Sequence, residues 1–134
     1  MNINKVSSYR QRTGKTGENY AEKFLVACGY TPLAHNIRTR EGEIDLVFLD
    51  YSSSYPSGHP EIVFVEVKAR KSTSFGTPAE AITSRKIEKI LKVIFKLGKT
   101  FSQSSHWRLD ALSVQLDQGG KILDITHFKN ILNG

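Results

Sequence analysis

The chain has 134 residues, 39% hydrophobic and 24% charged, which suits one globular domain and excludes a disordered or fibrous chain. Nineteen Lys and Arg against thirteen Asp and Glu leave a net charge of +6, which favours polyanionic partners. The single cysteine excludes an intrachain disulfide and fits a reducing compartment, and no apolar run approaches the roughly 20 residues of a membrane span.

Residues 1–13 are polar and basic, read as a loosely ordered segment, and carry no apolar core of a secretory signal, so the cytoplasm is the simplest location. Residues 14–134 read as one domain. A helix is predicted from Gly17 to Cys28, with Ala21, Phe24, Leu25 and Cys28 at helical spacing and Gly29 as its C-terminal cap. Cys28 therefore reads as core. Glu18 falls at the edge of the apolar stripe, where the first turn of a helix also favours acids.

Residues 30–38 read weakly as a strand, and Glu43–Leu49 and Ile62–Ala69 read strongly as strands. The Tyr51–Pro60 segment between the last two is a loop by composition. If that loop is centred between residues 55 and 56, residue 50 pairs with 61, Asp45 faces Glu66 and Glu43 faces Lys68. By strand alternation, Glu43 and Asp45 share one face, as do Glu66 and Lys68. A second helix is predicted from Thr77-Pro78-Ala79-Glu80, a capping box, to Leu97-Gly98. Ile87, Ile90, Leu91, Ile94 and Leu97 line one face of it, and Arg85, Lys89, Lys92, Lys96 and Lys99 the other. Strands Trp107–Leu116 and Lys121–Phe128 flank an Asp-Gln-Gly-Gly turn. The expected order is α-β-β-β-α-β-β.

Burying a charge costs several kcal/mol or more without a partner. Two carboxylates directly opposite on neighbouring strands have Cβ atoms about 5 Å apart, with a repulsion on the order of 3 kcal/mol at an effective dielectric of 20. A divalent cation would offset that. With oxygen ligands and no Cys or His in either segment, a hard ion such as Mg²⁺ or Mn²⁺ fits better than zinc. Asp45 and Glu66 are the expected metal ligands. Lys68 would orient a water or stabilise transition-state charge, and Glu43 and Glu18 would support the site.

Asp45 followed by Glu66-Val67-Lys68 resembles the (P)D…(D/E)xK signature of the restriction-endonuclease-like nuclease superfamily. More closely, Gly17-Glu18, Gly29-Tyr30, Asn36, Gly42-Glu43-Ile44-Asp45-Leu46, Phe64 to Arg70, Phe75-Gly76 and Arg108-Leu109-Asp110 resemble the YraN family of small bacterial proteins classed as predicted endonucleases and related to archaeal Holliday-junction resolvases. The match spans about residues 14–127 in order and spacing. It implies a restriction-endonuclease-like α/β fold, a central mixed sheet flanked by helices, with Asp45 and Glu66 on the metal and Lys68 assisting the nucleophilic water. It further implies DNA as substrate, including branched DNA, and a homodimer to make two symmetric cuts. Arg108-Leu109-Asp110 departs from the more usual Arg-Phe-Asp, and the Tyr51–Pro60 loop is longer than the common form.

Other readings remain beside this one. Asp45 and Glu66 on a solvent-facing side of an antiparallel pair, with Lys68 bridging to Glu43, would be purely structural. A nucleic-acid-binding module that keeps the nuclease fold without catalysis is the main functional alternative. Close carboxylates also suit a retaining glycosidase, which the positive charge and the single Trp disfavour. Arg38, Arg40, Arg70, Lys71, Arg85, Lys89, Lys92 and Lys96 are the expected phosphate contacts, giving salt-sensitive, largely sequence-independent affinity. Asp110 reads as a strand-end or supporting residue. Gly14-Lys15-Thr16 lacks the preceding strand and first glycine of a P-loop, and His35, His59, His106 and His127 have no ligand spacing.

Overall fold

Gly17, Ala21 and Leu25 recur every four residues and form the stripe on which the first helix, α1 (Ser8–Ala27), packs against the sheet. The computed structural model describes residues 8–52, 58–71, 82–98 and 106–132. α1 begins nine residues before the predicted Gly17, so the segment expected to be loose is helical from Ser8. Residues 8–13 read Ser-Tyr-Arg-Gln-Arg-Thr, with no apolar periodicity in the sequence to reveal a helix there. Gly14-Lys15-Thr16 lies within this helix, which removes any loop that could cradle a phosphate.

The helix ends on Gly29, at φ +98°, a left-handed conformation that favours glycine. Gly29 N–H donates to Val26 C=O at 2.9 Å, and Tyr30 N–H donates to Leu25 C=O at 3.0 Å, the Schellman pattern. Tyr30 and Leu25 then pack in the same core cluster. This termination turns Cys28 outwards; it is exposed, not core as expected.

The strands are β1 (Thr31–Arg38), β2 (Glu43–Asp50), β3 (Glu61–Lys71), β4 (Trp107–Leu116) and β5 (Ile122–Phe128). They form one sheet in the order β1-β2-β3-β4-β5. Only the β3–β4 pair is parallel, with α2 (Ser84–Lys96) in the crossover between them, so the sheet is mixed. The element order α-β-β-β-α-β-β is the expected one. The β2–β3 register also agrees with expectation, with Asp50 opposite Glu61 and Leu46 opposite Val65.

Both faces of the central strands are covered, which is why Glu61–Val67 is buried without interruption. Leu46, Phe48, Val63, Val65, Leu112 and Val114 pack beneath α1. Val47, Ile62, Phe64 and Leu109 pack beneath Ile90, Val93 and Ile94 of α2. α2 is capped by Thr83, whose hydroxyl accepts the Lys86 N–H at 3.2 Å. The predicted capping box at Thr77 lies outside the described residues, and the extended backbone of Thr83 starts the helix at Ser84. Among the described residues, no helix is long and apolar enough to cross a membrane.

Gly17 sets how closely α1 sits on the sheet. A Cβ at this position would collide with the Ala69 Cβ, closer than real carbon contacts allow. Gly→Ala normally stabilises a helix interior by about 1 kcal/mol. Here Gly17→Ala is expected to destabilise by roughly 1–3 kcal/mol in a urea titration, because the helix must lift from β3. Ala69→Gly should recover most of that loss; a stable Gly17→Ala protein would show that the contact is not tight.

Candidate functional site

The ladder between β2 and β3 ends at Leu46 and Val65, one residue before Asp45 would meet Glu66. There the Asp45 side chain takes over from the backbone: its Oδ2 accepts the Val67 N–H at 2.8 Å. A second irregularity lies on the other flank. The β1–β2 pairing is formed at His35–Leu46 and at Ile37–Ile44, but Asn36, in register with Asp45, adopts φ +49°. Left-handed backbone inside a strand is uncommon, and Asn is among the few residues that tolerate it.

β2 turns over at this point. Ile44 and Leu46, two residues apart, belong to opposite core clusters, whereas an even strand would put both on one face. The turn explains a correction to the sequence reading. Glu43 does not share the face of Asp45 with Lys68; its side chain is 61% exposed and pairs with Arg38 at 3.5 Å. Arg38, expected on phosphate, is engaged by Glu43 there.

Asp45 and Glu66 are brought together as expected, and both are buried. Burial first, and the Glu66 carboxylate second, push the Asp45 carboxyl up to about 7, and the two carboxyls are close enough to share a hydrogen bond. Glu18, half-buried on α1, is also raised, by burial and then by the carboxylates of Asp45 and Glu43. It therefore borders the pair as expected. Lys68 is half-buried two residues along β3. Burial and the neighbouring Lys86 ammonium hold it below the usual lysine range.

Lys86 is the residue that sequence reasoning missed. It projects from the first turn of α2 and places its Nζ 2.6 Å from Glu66 Oε1. Its burial opposes the charge, but the hydrogen bond with Glu66 leaves it above the ordinary lysine range. The basic stripe of α2 was legible but does not contain Lys86. This lysine stands four and seven residues before the buried Ile90 and Val93 and so falls on the inward side of the helix. Arg85, Lys89, Lys92 and Lys96 are exposed on that helix, and Arg85, Lys86, Lys89 and Thr83 line an open groove. Lys96 is tied to Glu41 at 3.1 Å. Arg40 is exposed, whereas Arg70 and Lys71 are half-buried, Lys71 donating to the Gln118 carbonyl at 3.0 Å.

The donor set suits a small hard cation. Mg²⁺ is commonly held by one or two carboxylates, with water and substrate phosphate completing its shell, and two buried carboxylates are present. Among the described residues, no group of three or more His, Cys, Asp or Glu side chains gathers around one metal position. Waters and a phosphate oxygen would have to supply the remaining ligands.

A second polar cluster lies on the opposite face of the sheet, the α1 side of Val63, Val65 and Leu112, with Asp110 in register with Val65. Arg108 donates to Asp50 at 2.9 Å, to Glu61 at 2.7 Å, to Asp110 at 3.0 Å and to the Tyr30 hydroxyl at 2.7 Å. Asp110, fully buried, also accepts the Asn130 N–H and contacts His127 Nε2, each at 2.8 Å. Burial raises the Asp110 carboxyl, but the hydrogen bonds from His127 and Arg108 outweigh it and hold it low. Asp110 thus belongs to a structural network and not to the acidic pair. His127, expected to be incidental, is part of that network.

The uncharacterised protein family UPF0102 matches residues 17–114, a span that contains Asp45, Glu66, Lys68, Lys86 and Arg108. A UPF0102 protein of Symbiobacterium thermophilum is 35% identical over 113 residues, covering 84% of this chain and 89% of the relative. A UPF0102 protein of Caldicellulosiruptor saccharolyticus is 33% identical over 122 residues, covering 90% and 97%. One of Desulfosudis oleivorans is 38% identical over 107 residues, covering 79% and 80%.

Proposed function

This chain belongs to the UPF0102 family, and from its buried acidic pair we propose that it is a metal-dependent endonuclease acting on DNA phosphodiester bonds. The observation that carries the reading is the meeting of Asp45 and Glu66 on adjacent strands, both buried, with lysines as the neighbouring positive charges. A fold has no structural need to place two carboxylates in contact inside a sheet. The Asp…Glu-x-Lys arrangement resembles that of restriction-endonuclease-like nucleases, and the branched-DNA substrate and homodimer are inferred from the likeness to archaeal resolvases.

Asp45 and Glu66 would hold Mg²⁺ or Mn²⁺, which supplies Lewis acidity to a phosphoryl oxygen and makes water more acidic. Lys68 is fixed by β3 beside the pair. Its ammonium would orient the attacking water and stabilise the charge that builds on the phosphate. Glu18, on the flank formed by α1, would hold a proton or a water at the rim. Arg85, Lys89 and Lys92 would bind the DNA backbone, with affinity that falls steeply as salt rises.

Cleavage of linear, single-stranded, flapped and four-way DNA in Mg²⁺ or Mn²⁺ tests this reading. Glu66→Ala and Lys68→Ala are expected to lower the rate at least a hundredfold. Unchanged cleavage in both variants would refute the assignment. The alternative, a DNA-binding module without turnover, draws support from Lys86, whose ammonium already neutralises Glu66. That module would bind DNA equally well in EDTA, would be indifferent to Asp45→Ala, and would cleave none of the four substrates.

A further inference from the structure

Lys86 and Lys68 both neutralise the acidic pair, but they are held very differently. Lys68 belongs to β3, the same strand as Glu66, so its place is set by strand alternation. Lys86 reaches the pair from the first turn of α2 on a long flexible stem. Its side chain is 36% exposed, whereas that of Glu66 is 4% exposed. Lys86 also lines the open groove with Arg85 and Lys89. One ammonium group therefore borders two environments, a buried carboxylate and a solvent-filled basic groove.

Counting the charges gives this position a consequence. Asp45 and Glu66, when ionised, are balanced by Lys68 and Lys86 with no ion present. A divalent ion added to that set would bring four positive charges against three negative ones even with Glu18 at the rim counted, and at such separations like charges repel strongly in a part-buried site. The group that can leave is the one with a flexible stem and an open path. We propose that Lys86 is a resident counter-ion, which holds Glu66 in the metal-free protein and yields its place to the divalent ion, its ammonium moving into the groove to bind a substrate phosphate. The proposal rests on the metal-site reading above and adds a coupling between ion binding and DNA binding to it.

Mn²⁺ binding to the full chain by titration calorimetry tests the exchange without any catalytic readout. Lys86→Met, which keeps much of the stem but removes the competitor, is expected to bind Mn²⁺ at least tenfold more tightly than the wild type. Lys86→Arg, which keeps a charge able to fork onto Glu66, should bind it no more tightly. A thermal melt in saturating Mn²⁺ shows that each variant is folded. Duplex DNA binding by fluorescence anisotropy, with Ca²⁺ and with EDTA, tests the second half. The wild type should gain affinity with Ca²⁺. Lys86→Met should lose that gain and show a salt dependence smaller by about one phosphate contact. Folded Lys86→Met with unchanged or weaker Mn²⁺ affinity would overturn the exchange while leaving the metal site standing. Absence of Mn²⁺ binding in the wild type would overturn the metal site itself, and the exchange with it.

Discussion

Asp45→Asn is expected to abolish divalent-ion-dependent DNA cleavage and, at the same time, to stabilise the metal-free protein at pH 8. The Asp45 carboxyl is raised from 3.8 to about 7 by burial and by Glu66. Between those values the folded protein keeps a proton that the unfolded chain has released. On this account the stability of the metal-free protein falls as pH rises through that window. A neutral amide removes the penalty, and its oxygen can still accept the Val67 N–H. The gain at pH 8 should be on the order of 2–4 kcal/mol, shrinking towards zero near pH 4. Asp50 and Asp110 are shifted the opposite way, because their hydrogen bonds outweigh burial. Their contribution is lost as pH falls through their lowered folded values, and it cancels when the two proteins are compared at one pH. Urea denaturation at pH 4.5 and 8 measures the difference. A variant less stable than wild type at both pH values would mark Asp45 as a structural carboxylate.

Arg108→Met should have the largest effect on folding. Arg108 bridges Asp50, Glu61, Asp110 and Tyr30, and its removal leaves three buried carboxylates without their common partner. Breaking a buried ion network from one side typically costs about 3–5 kcal/mol. Arg108→Lys should recover little of it, since one ammonium cannot reproduce a planar fork reaching several acceptors. Arg108 and Asp110 share the face of Val63 and Val65, whereas Glu66 points to the opposite face of β3. The folded fraction of Arg108→Met should therefore bind Mn²⁺ as the wild type does. A loss below about 1 kcal/mol in urea midpoints, or a parallel loss of Mn²⁺ affinity, would show that the two polar clusters are wrongly assigned.

β2, β3 and β4 were readable because each carries the apolar run of a buried strand, whereas β1, exposed along most of its length, read only weakly. The β2–β3 register followed from the loop centre alone, and it placed Asp45 against Glu66. The same regularity misled at Glu43. Alternation assumes an even strand, and β2 turns over at Asp45, opposite the left-handed Asn36. Lys86 was hidden for a related reason. It lies off the basic stripe, on the side of α2 that carries the buried Ile90 and Val93, but the strand end it meets becomes its neighbour only through folding. The Arg108 network gathers Tyr30, Asp50, Glu61, Asp110 and His127 from distant segments, so spacing could not reveal it. Its one local cue was charge on both sides of Leu109 in an otherwise uncharged strand, the kind of signal that pointed to Asp45.

The claim that Asp45 and Glu66 form a divalent-ion site can be tested most directly without any substrate. Thermal unfolding of the wild type and of Glu66→Gln is followed as Mn²⁺ is added at pH 8 and at pH 5.5. An ion at a hundredfold excess over its Kd stabilises the folded state by about 2.7 kcal/mol. The wild type should therefore melt several degrees higher at pH 8, and less so at pH 5.5, where a proton competes for Asp45. Glu66→Gln should not respond at either pH. An equal rise in both proteins, or no rise in the wild type at pH 8, would contradict the site.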